Sequence, residues 1–504
     1  MYSSVKARSV FISLIITITS LISVFVRAEE HNKPVQHVSA GCLIPKGSIA
    51  GKVLLENGIR NQVRFLNEPE ELSSITDKMS EYKIPALSLA VIKQGEIAWV
   101  DIYQDANFTE ERKLNCKSLF QAASLSKPVT FMAAVRMQAA GKIDLDKNIQ
   151  LYLRDFVLPT GKQTVNNPVT LRNIFSHTSG ITSGGYQGYA RDIHFPADID
   201  ILKGSAGANS PAIAVVAPPN EKLAYSGGAY SLAELAIQDI FHDEFARIMK
   251  KWILDPAGMK HSDFTQPLPA SKYQQVAKGH VNSGAILEGG WRNYPEQAAA
   301  GLWSNSTDMA TFLIEIYKAY HGKTSIFSQA EIKSLLTHER DGHVYGFRVD
   351  RSGNKISITH YGGNAGYNTG MTINLTTGNG LVYLINSENG WELGRDLLLS
   401  ASEVYGWNNF KQTDAHRKHQ NNETLKALSG KYKWNNQDDF VVRFDENNNI
   451  ISLVFPSGTE YKLTPIVGDS LDFIHQNTGE RITFVKKDGI QVFNLYGGVA
   501  VKQN

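Results

Sequence analysis

Residues Ala86 to Ile92 form a nearly continuous apolar run, and this run constrains the fold more than any other stretch. A strand with almost no polar alternation is buried on both faces, so it belongs inside a sheet that other layers cover. Lys93-Gln94-Gly95 supplies turn chemistry, and the chain returns as a second strand, so that Pro85 to Val100 reads as a pair. The matching patterns lie far downstream. Ile356 to His360 and Thr369 to Leu375 alternate like neighbouring strands joined by the glycine-rich Tyr361 to Tyr367, and Leu381 to Ile385 is a further apolar strand. The stretch between is mostly helical and irregular. The pattern predicts an α/β (α+β) architecture: one sheet whose edge strands come from both ends of the chain, with helices over it.

Within that frame one segment carries chemistry. Phe120 to Thr130 places Ser124 and, three residues later, Lys127 at the start of an apolar helical run that ends near Ala140, before Gly141. Three residues is nearly one turn, so both side chains share a face. A serine hydroxyl is a weak nucleophile until a neighbouring base takes its proton, and a lysine kept neutral can be that base. The spacing alone says little, because it recurs at Ser3/Lys6, Ser80/Lys83 and Ser352/Lys355. Ser124 differs in its setting of small residues before it, an apolar helix after it and partner motifs downstream. Pro128 is tolerated there because it falls in the first turn.

The first residues read as an export signal. Lys6 and Arg8 precede an uncharged run from Val10 to Val26, and Val26-Arg27-Ala28 offers small residues for cleavage. The run is also long enough to approach a membrane span, so a cleaved signal peptide and an uncleaved anchor both stay open. Either way the body of the protein is expected outside the cytoplasm, periplasmic or secreted. Cys42 and Cys116 are the only cysteines, and an oxidising compartment would let them pair. The net charge of +2 and the absence of a basic stripe argue against nucleic acid. No metal-ligand spacing is present, and neither a metal nor another cofactor is expected.

Other elements follow in order. Glu29 to about Asn67 reads as a polar arm. Glu70 to Tyr82 reads as a helix after Pro69, and Ser306 as the cap of a helix with Asp308 in its first turn. Lys411 to Lys426 is polar and charged, hence a linker. Beyond it seven short alternating strands, at 431–434, 440–444, 451–455, 460–463, 471–475, 481–485 and 491–496, are separated by Asn- and Gly-rich turns. That spacing predicts a small β-barrel or sandwich. The expected division is 1–28 signal or anchor, 29–69 arm, 70–410 main domain, 411–426 linker and 427–504 barrel. Gly468-Asp469-Ser470-Leu471 matches the opening motif of another lipase class, but Ser470 and His475 would point to opposite faces of one strand. No Gly-x-Ser-x-Gly elbow occurs.

Ser124-x-x-Lys127, Leu171 to Gly180, Tyr225-Ser226, Gly301-Leu302-Trp303-Ser304 and His360 to Tyr367 occur in an order that resembles the β-lactamase-related serine hydrolases. These are class C β-lactamases, D-alanyl-D-alanine carboxypeptidases, D-aminopeptidases and related esterases. The resemblance spans about Glu70 to Trp407 and implies a β-lactamase/transpeptidase-like antiparallel sheet flanked by helices. It makes Ser124 the acylated nucleophile, Lys127 its proton acceptor and Tyr225 a partner in proton transfer. His360 opens the third motif, where lysine or histidine stands before x-Gly. The backbone N–H groups of Ser124 and Gly363 form the oxyanion hole, and Gly362 lets substrate lie along the strand edge. The family's Tyr-x-Asn is here Tyr225-Ser226-Gly227, so the substrate-anchoring amide is missing at Gly227, which leaves ester hydrolysis more open than amide or β-lactam turnover. His177 reads as structural, within turn chemistry. The substrate expected is a small molecule or peptide, including cell-wall-derived ones, with a membrane as partner only if the first segment stays uncleaved. The alternative is a penicillin-binding-like module that senses or sequesters cell-wall fragments without turnover.

Overall fold

The computed structural model describes residues 36–503 apart from 39–41, 44, 106–112, 183, 324, 408–409, 435–437, 456–459, 469–470 and 496–497. Residues 1–28, read above as an export signal or anchor, and Ser470 therefore lie outside the described residues, and no described helix is long and apolar enough to cross a membrane.

In chain order the principal elements are β1 (Gln36–Val38), α1 (Ile49–Glu56), α2 (Ile75–Glu81), β2 (Ala86–Lys93), β3 (Glu96–Gln104), α3 (Ser126–Ala139), α4 (Gly227–Phe241), α5 (Gln297–Ala300) and α6 (Ser306–Tyr320). They continue with β4 (His343–Val344), β5 (Phe347–Ser352), β6 (Lys355–Asn364), β7 (Tyr367–Asn374), β8 (Gly380–Ile385) and α7 (Gly390–Val404). The eight strands form one antiparallel sheet in the order β1-β3-β2-β8-β7-β6-β5-β4. Strands from the two ends of the chain meet at its centre, where Ala90 lies opposite Val382. The tight turn between β2 and β3 puts Gln94 and Gly95 at φ +54° and +78°, as a primed hairpin turn requires.

The continuous apolar character of β2 has a direct structural cause. Ala86, Ala90 and Ile92 face a layer containing α3 and α6, whereas Leu87, Leu89 and Val91 face α1, α2 and α7. Both faces of the strand are thus covered, as its composition predicts.

Several boundaries differ from the sequence reading. The helix expected from Glu70 starts at Ile75, because Ser74 accepts from Asp77 N–H while Asp77 reaches back to Ser74 N–H; such a capping box outweighs the acidic run before it. Asn305 caps α6 instead of Ser306, whose hydroxyl pairs with Ser88 at 2.8 Å. Cys42 and Cys116 form a disulfide with Cα atoms 5.4 Å apart.

The C-terminal part is a closed barrel of eight antiparallel strands. The eighth, Gly498–Lys502, is too short and too near the chain end for its alternation to stand out; it closes the cylinder by pairing Tyr432 with Lys502. The segment read as a linker is structured. Thr413–Ala415 pairs in parallel with Val63–Phe65, and the helix Asn422–Leu428 sends Leu425 and Leu428 into the barrel core.

Candidate active site

The strand Phe120–Gln121 pairs with Trp303–Ser304 and leads into a tight turn before α3. In that turn Ala123 is fully buried at φ +51°, a left-handed conformation that costs an L-residue about 1–2 kcal/mol. Neighbouring groups hold it. Ser126 Oγ donates to Ala123 O at 2.6 Å and accepts from Leu302 N at 3.0 Å, while Ala122 O accepts from Thr369 Oγ1 at 2.9 Å. The small residues before Ser124 serve this close packing, and Ser126, which the sequence reading passed over, is the clamp.

Lys127 lies one turn further on and is 3% exposed. Its Nζ donates to Ser124 Oγ at 3.1 Å and to Ala299 O at 2.7 Å. It sits 4.8 Å from the ring centre of Tyr225 and 5.7 Å from that of Tyr230. No carboxylate forms an ion pair with it among the described residues. The pair places a hydroxyl within hydrogen-bond reach of an amine nitrogen.

Two histidines flank Tyr225. His177 packs at 4.4 Å between ring centroids, and its Nδ1 accepts from Ser226 N–H at 3.2 Å, which assigns its proton to Nε2. Burial, reinforced by Lys127 and His360, pushes its pKa well below the ordinary histidine value. It thus holds the Tyr225-Ser226 turn, the structural part read for it in the sequence. His360 stands on the other side, with ring centroids 6.5 Å apart. Burial first, and Lys127 second, lower its pKa to about 3, so it is neutral in ordinary buffers. The Nε2 atoms of both histidines are buried without a hydrogen bond among the described residues.

The glycines separate into different roles. A Cβ on Gly362 would lie 2.8 Å from both Ser124 N and Ala122 O, and 2.6 Å from Thr369 Oγ1. The position is glycine because β6 passes against the Ser124 turn, a packing reason that stands beside the expected role of Gly362 along the strand edge. Gly363, the next residue, is exposed. At Gly227 a Cβ would meet Gly184 O at 2.8 Å and Tyr186 Cε2 at 3.1 Å. A side chain at Gly227 would thus press on the Gly184–Tyr186 segment.

A cavity of about 210 Å³ opens beside these groups, lined by His177, Tyr225, His343, Arg348, His360 and Tyr361. Arg348 also lines an adjoining cavity of about 440 Å³ that extends to Phe410. On β5 it lies opposite Thr359, and among the described residues it has no carboxylate partner. Its single position in an ordinary alternating strand gave no sequence signal.

The Beta-lactamase family model matches residues 73–404. Penicillin-binding protein 4* of Bacillus subtilis is 24% identical over 361 residues, covering 67% of this chain and 76% of that protein. Among solved structures, an octameric penicillin-binding protein homologue from Pyrococcus abyssi superposes with a TM-score of 0.56 at 20% identity, covering 85% of this chain and 98% of the other. The D-alanine carboxypeptidase AmpC of Burkholderia cenocepacia superposes with a TM-score of 0.50 at 18% identity, covering 66% of this chain and 96% of the other. At these identities the structural likeness is one of fold.

Proposed function

The chain belongs to the Beta-lactamase family, and from that premise we propose that it is an exported serine hydrolase that forms an acyl-enzyme at Ser124. The observation that carries this reading is the 3.1 Å contact between Lys127 Nζ and Ser124 Oγ, with no anion to compete for the nitrogen among the described residues. In the reaction Ser124 Oγ bonds to the substrate carbonyl carbon and its proton passes to Lys127 Nζ. The backbone N–H groups of Ser124 and Gly363 receive the oxyanion. The bond to the leaving group then breaks, and the leaving oxygen or nitrogen takes a proton through Tyr225. Water next splits the acyl–serine ester, which frees the acid and restores the hydroxyl.

Substrate preference follows from the surroundings. His360 is neutral and offers a carboxylate no charge, whereas Arg348, which lines the same cavity, can hold a carboxylate-bearing group there. The absence of an asparagine amide at Gly227 favours esters over amides. The same observation keeps a second reading in view, a module that binds cell-wall fragments without turnover. Export is supported by the uncharged run Val10 to Val26 and by the Cys42–Cys116 disulfide, a bond that persists in oxidising compartments.

An active-site-directed fluorophosphonate tests the reading. Wild type is expected to be labelled at Ser124 and to turn over a chromogenic ester, and Ser124→Ala to do neither. Retention of ligand by wild type with neither labelling nor turnover would establish the binding module instead.

A further inference from the structure

The contacts that hold Lys127 continue beyond Ala299. That carbonyl belongs to α5, only four residues long, whose backbone groups are satisfied largely from outside. Gln297 N donates to Pro295 O at 2.8 Å, and Ala299 N and Ala300 N to Glu296 O at 3.1 and 2.9 Å. Ala298 N donates to Glu234 Oε2 at 2.8 Å. At the carbonyl end, Ala299 O accepts from Lys127 and Ala300 O accepts from Asn364 Nδ2 at 3.1 Å. One short helix thus has a side-chain carboxyl at its N–H end and the lysine at its C=O end.

Glu234 is itself unusual. It is 1% exposed on α4, the helix that begins directly after Tyr225 and Ser226. No basic side chain pairs with it among the described residues. Its ionisable neighbours are acidic: Asp198 of the helix Asp198–Lys203, and Glu296 just before α5. Burial and these neighbours raise its pKa well above the ordinary carboxyl value, and its Oε2 serves as an acceptor. Its Oε1 has no hydrogen bond among the described residues. A buried carboxyl without a cation is destabilising, and here one bond gives it an evident use.

We propose that Glu234 is a positioning residue for Lys127, acting through Ala298 and Ala299 to aim the Ala299 carbonyl and so to hold Nζ on Ser124. It also couples the lysine to α4, which sets the Tyr225 turn, so that both proton-handling side chains share one support. The inference rests on the hydrolase reading above.

The test measures the acylation rate constant with a fluorophosphonate, together with kcat and KM for a chromogenic ester. Glu234→Ala removes the acceptor, and kcat and acylation are expected to fall at least tenfold with KM within twofold of wild type. Glu234→Gln keeps an acceptor of the same reach and is expected to stay within threefold. In a Lys127→Ala background the Glu234→Ala change is expected to cost no more than a further twofold, because the two act as one unit. A melting curve checks folding, and Glu234→Asp, whose shorter side chain loses the bond, carries the test if Glu234→Ala does not fold. Wild-type acylation by the folded variant, equal losses in Gln and Ala, or a full additional loss in the Lys127→Ala background would overturn the proposal. If wild type itself is not labelled, the hydrolase reading fails and this one with it.

Discussion

At the scale of single residues, the site is shaped by groups kept out of their ordinary charge states. His360 is neutral because burial and Lys127 oppose its cation, so it can orient a substrate but cannot attract an anion by charge. Glu296 is the acidic counterpart. Burial, with Asp198 nearby, raises its pKa from 4.5 to about 8, and neither carboxyl oxygen has a partner among the described residues. Between those values the folded protein holds a proton that the unfolded chain has released. The stability this contributes is full below about pH 4.5 and is lost as the pH rises through about 8, with a slope of up to about 1.4 kcal/mol per pH unit. Glu296→Gln should therefore flatten the dependence of urea stability on pH between 5 and 8 and be more stable than wild type at pH 8. Parallel curves for the two proteins would mean that Glu296 is ionised at neutral pH.

At the scale of elements, the arrangement depends on how closely β6 and the Ser124 turn approach. Gly362→Ala would place a methyl 2.8 Å from Ser124 N, so the turn or the strand must move. Acylation is expected to fall at least tenfold and stability by about 1–3 kcal/mol, as for other overpacking changes. Acylation and melting temperature equal to wild type would show that the approach is not needed. The sheet, its central strands and the Ser124/Lys127 pair were legible because each rests on local pattern: apolar continuity in β2, turn chemistry at Gln94-Gly95, helical spacing from Ser124. The packing around Gly362 and Gly227 was not legible. Each glycine lies against a neighbour remote in sequence, Ser124 N in one case and Gly184 O in the other, and local pattern carries no such distances. Ser126 and Glu234 were hidden for the same reason, since their partners Leu302 and Ala298 come from another part of the chain.

At the scale of the whole molecule, the barrel is fastened to the body by a few groups. Thr413–Ala415 pairs with Val63–Phe65, Arg417 meets Glu68 at 2.6 Å, and a small apolar cluster joins Val63 and Ala415 to Ile466 and Ile474. Leu425 and Leu428 belong to the barrel core, and the residues before them are tied to it as well, with Val467 N donating to His416 O at 2.9 Å and Lys418 N to Pro465 O at 3.0 Å, so the severable stretch is narrower than composition suggested and lies ahead of His416. Limited proteolysis ahead of Arg417 should yield a folded C-terminal fragment that separates more readily in high salt, since the Arg417–Glu68 pair that ties it to the body is about two-fifths exposed. Degradation of that fragment as fast as it forms would show that the barrel needs the body to fold.

The account as a whole turns on Lys127 as the group that takes the Ser124 proton. Its most direct test is the acylation rate of Ser124 by a fluorophosphonate at neutral pH, compared between wild type and Lys127→Ala with both shown to be folded. The account predicts a loss of about 10²–10⁴-fold, the range for removing a general base. Near-wild-type acylation of Lys127→Ala would contradict it.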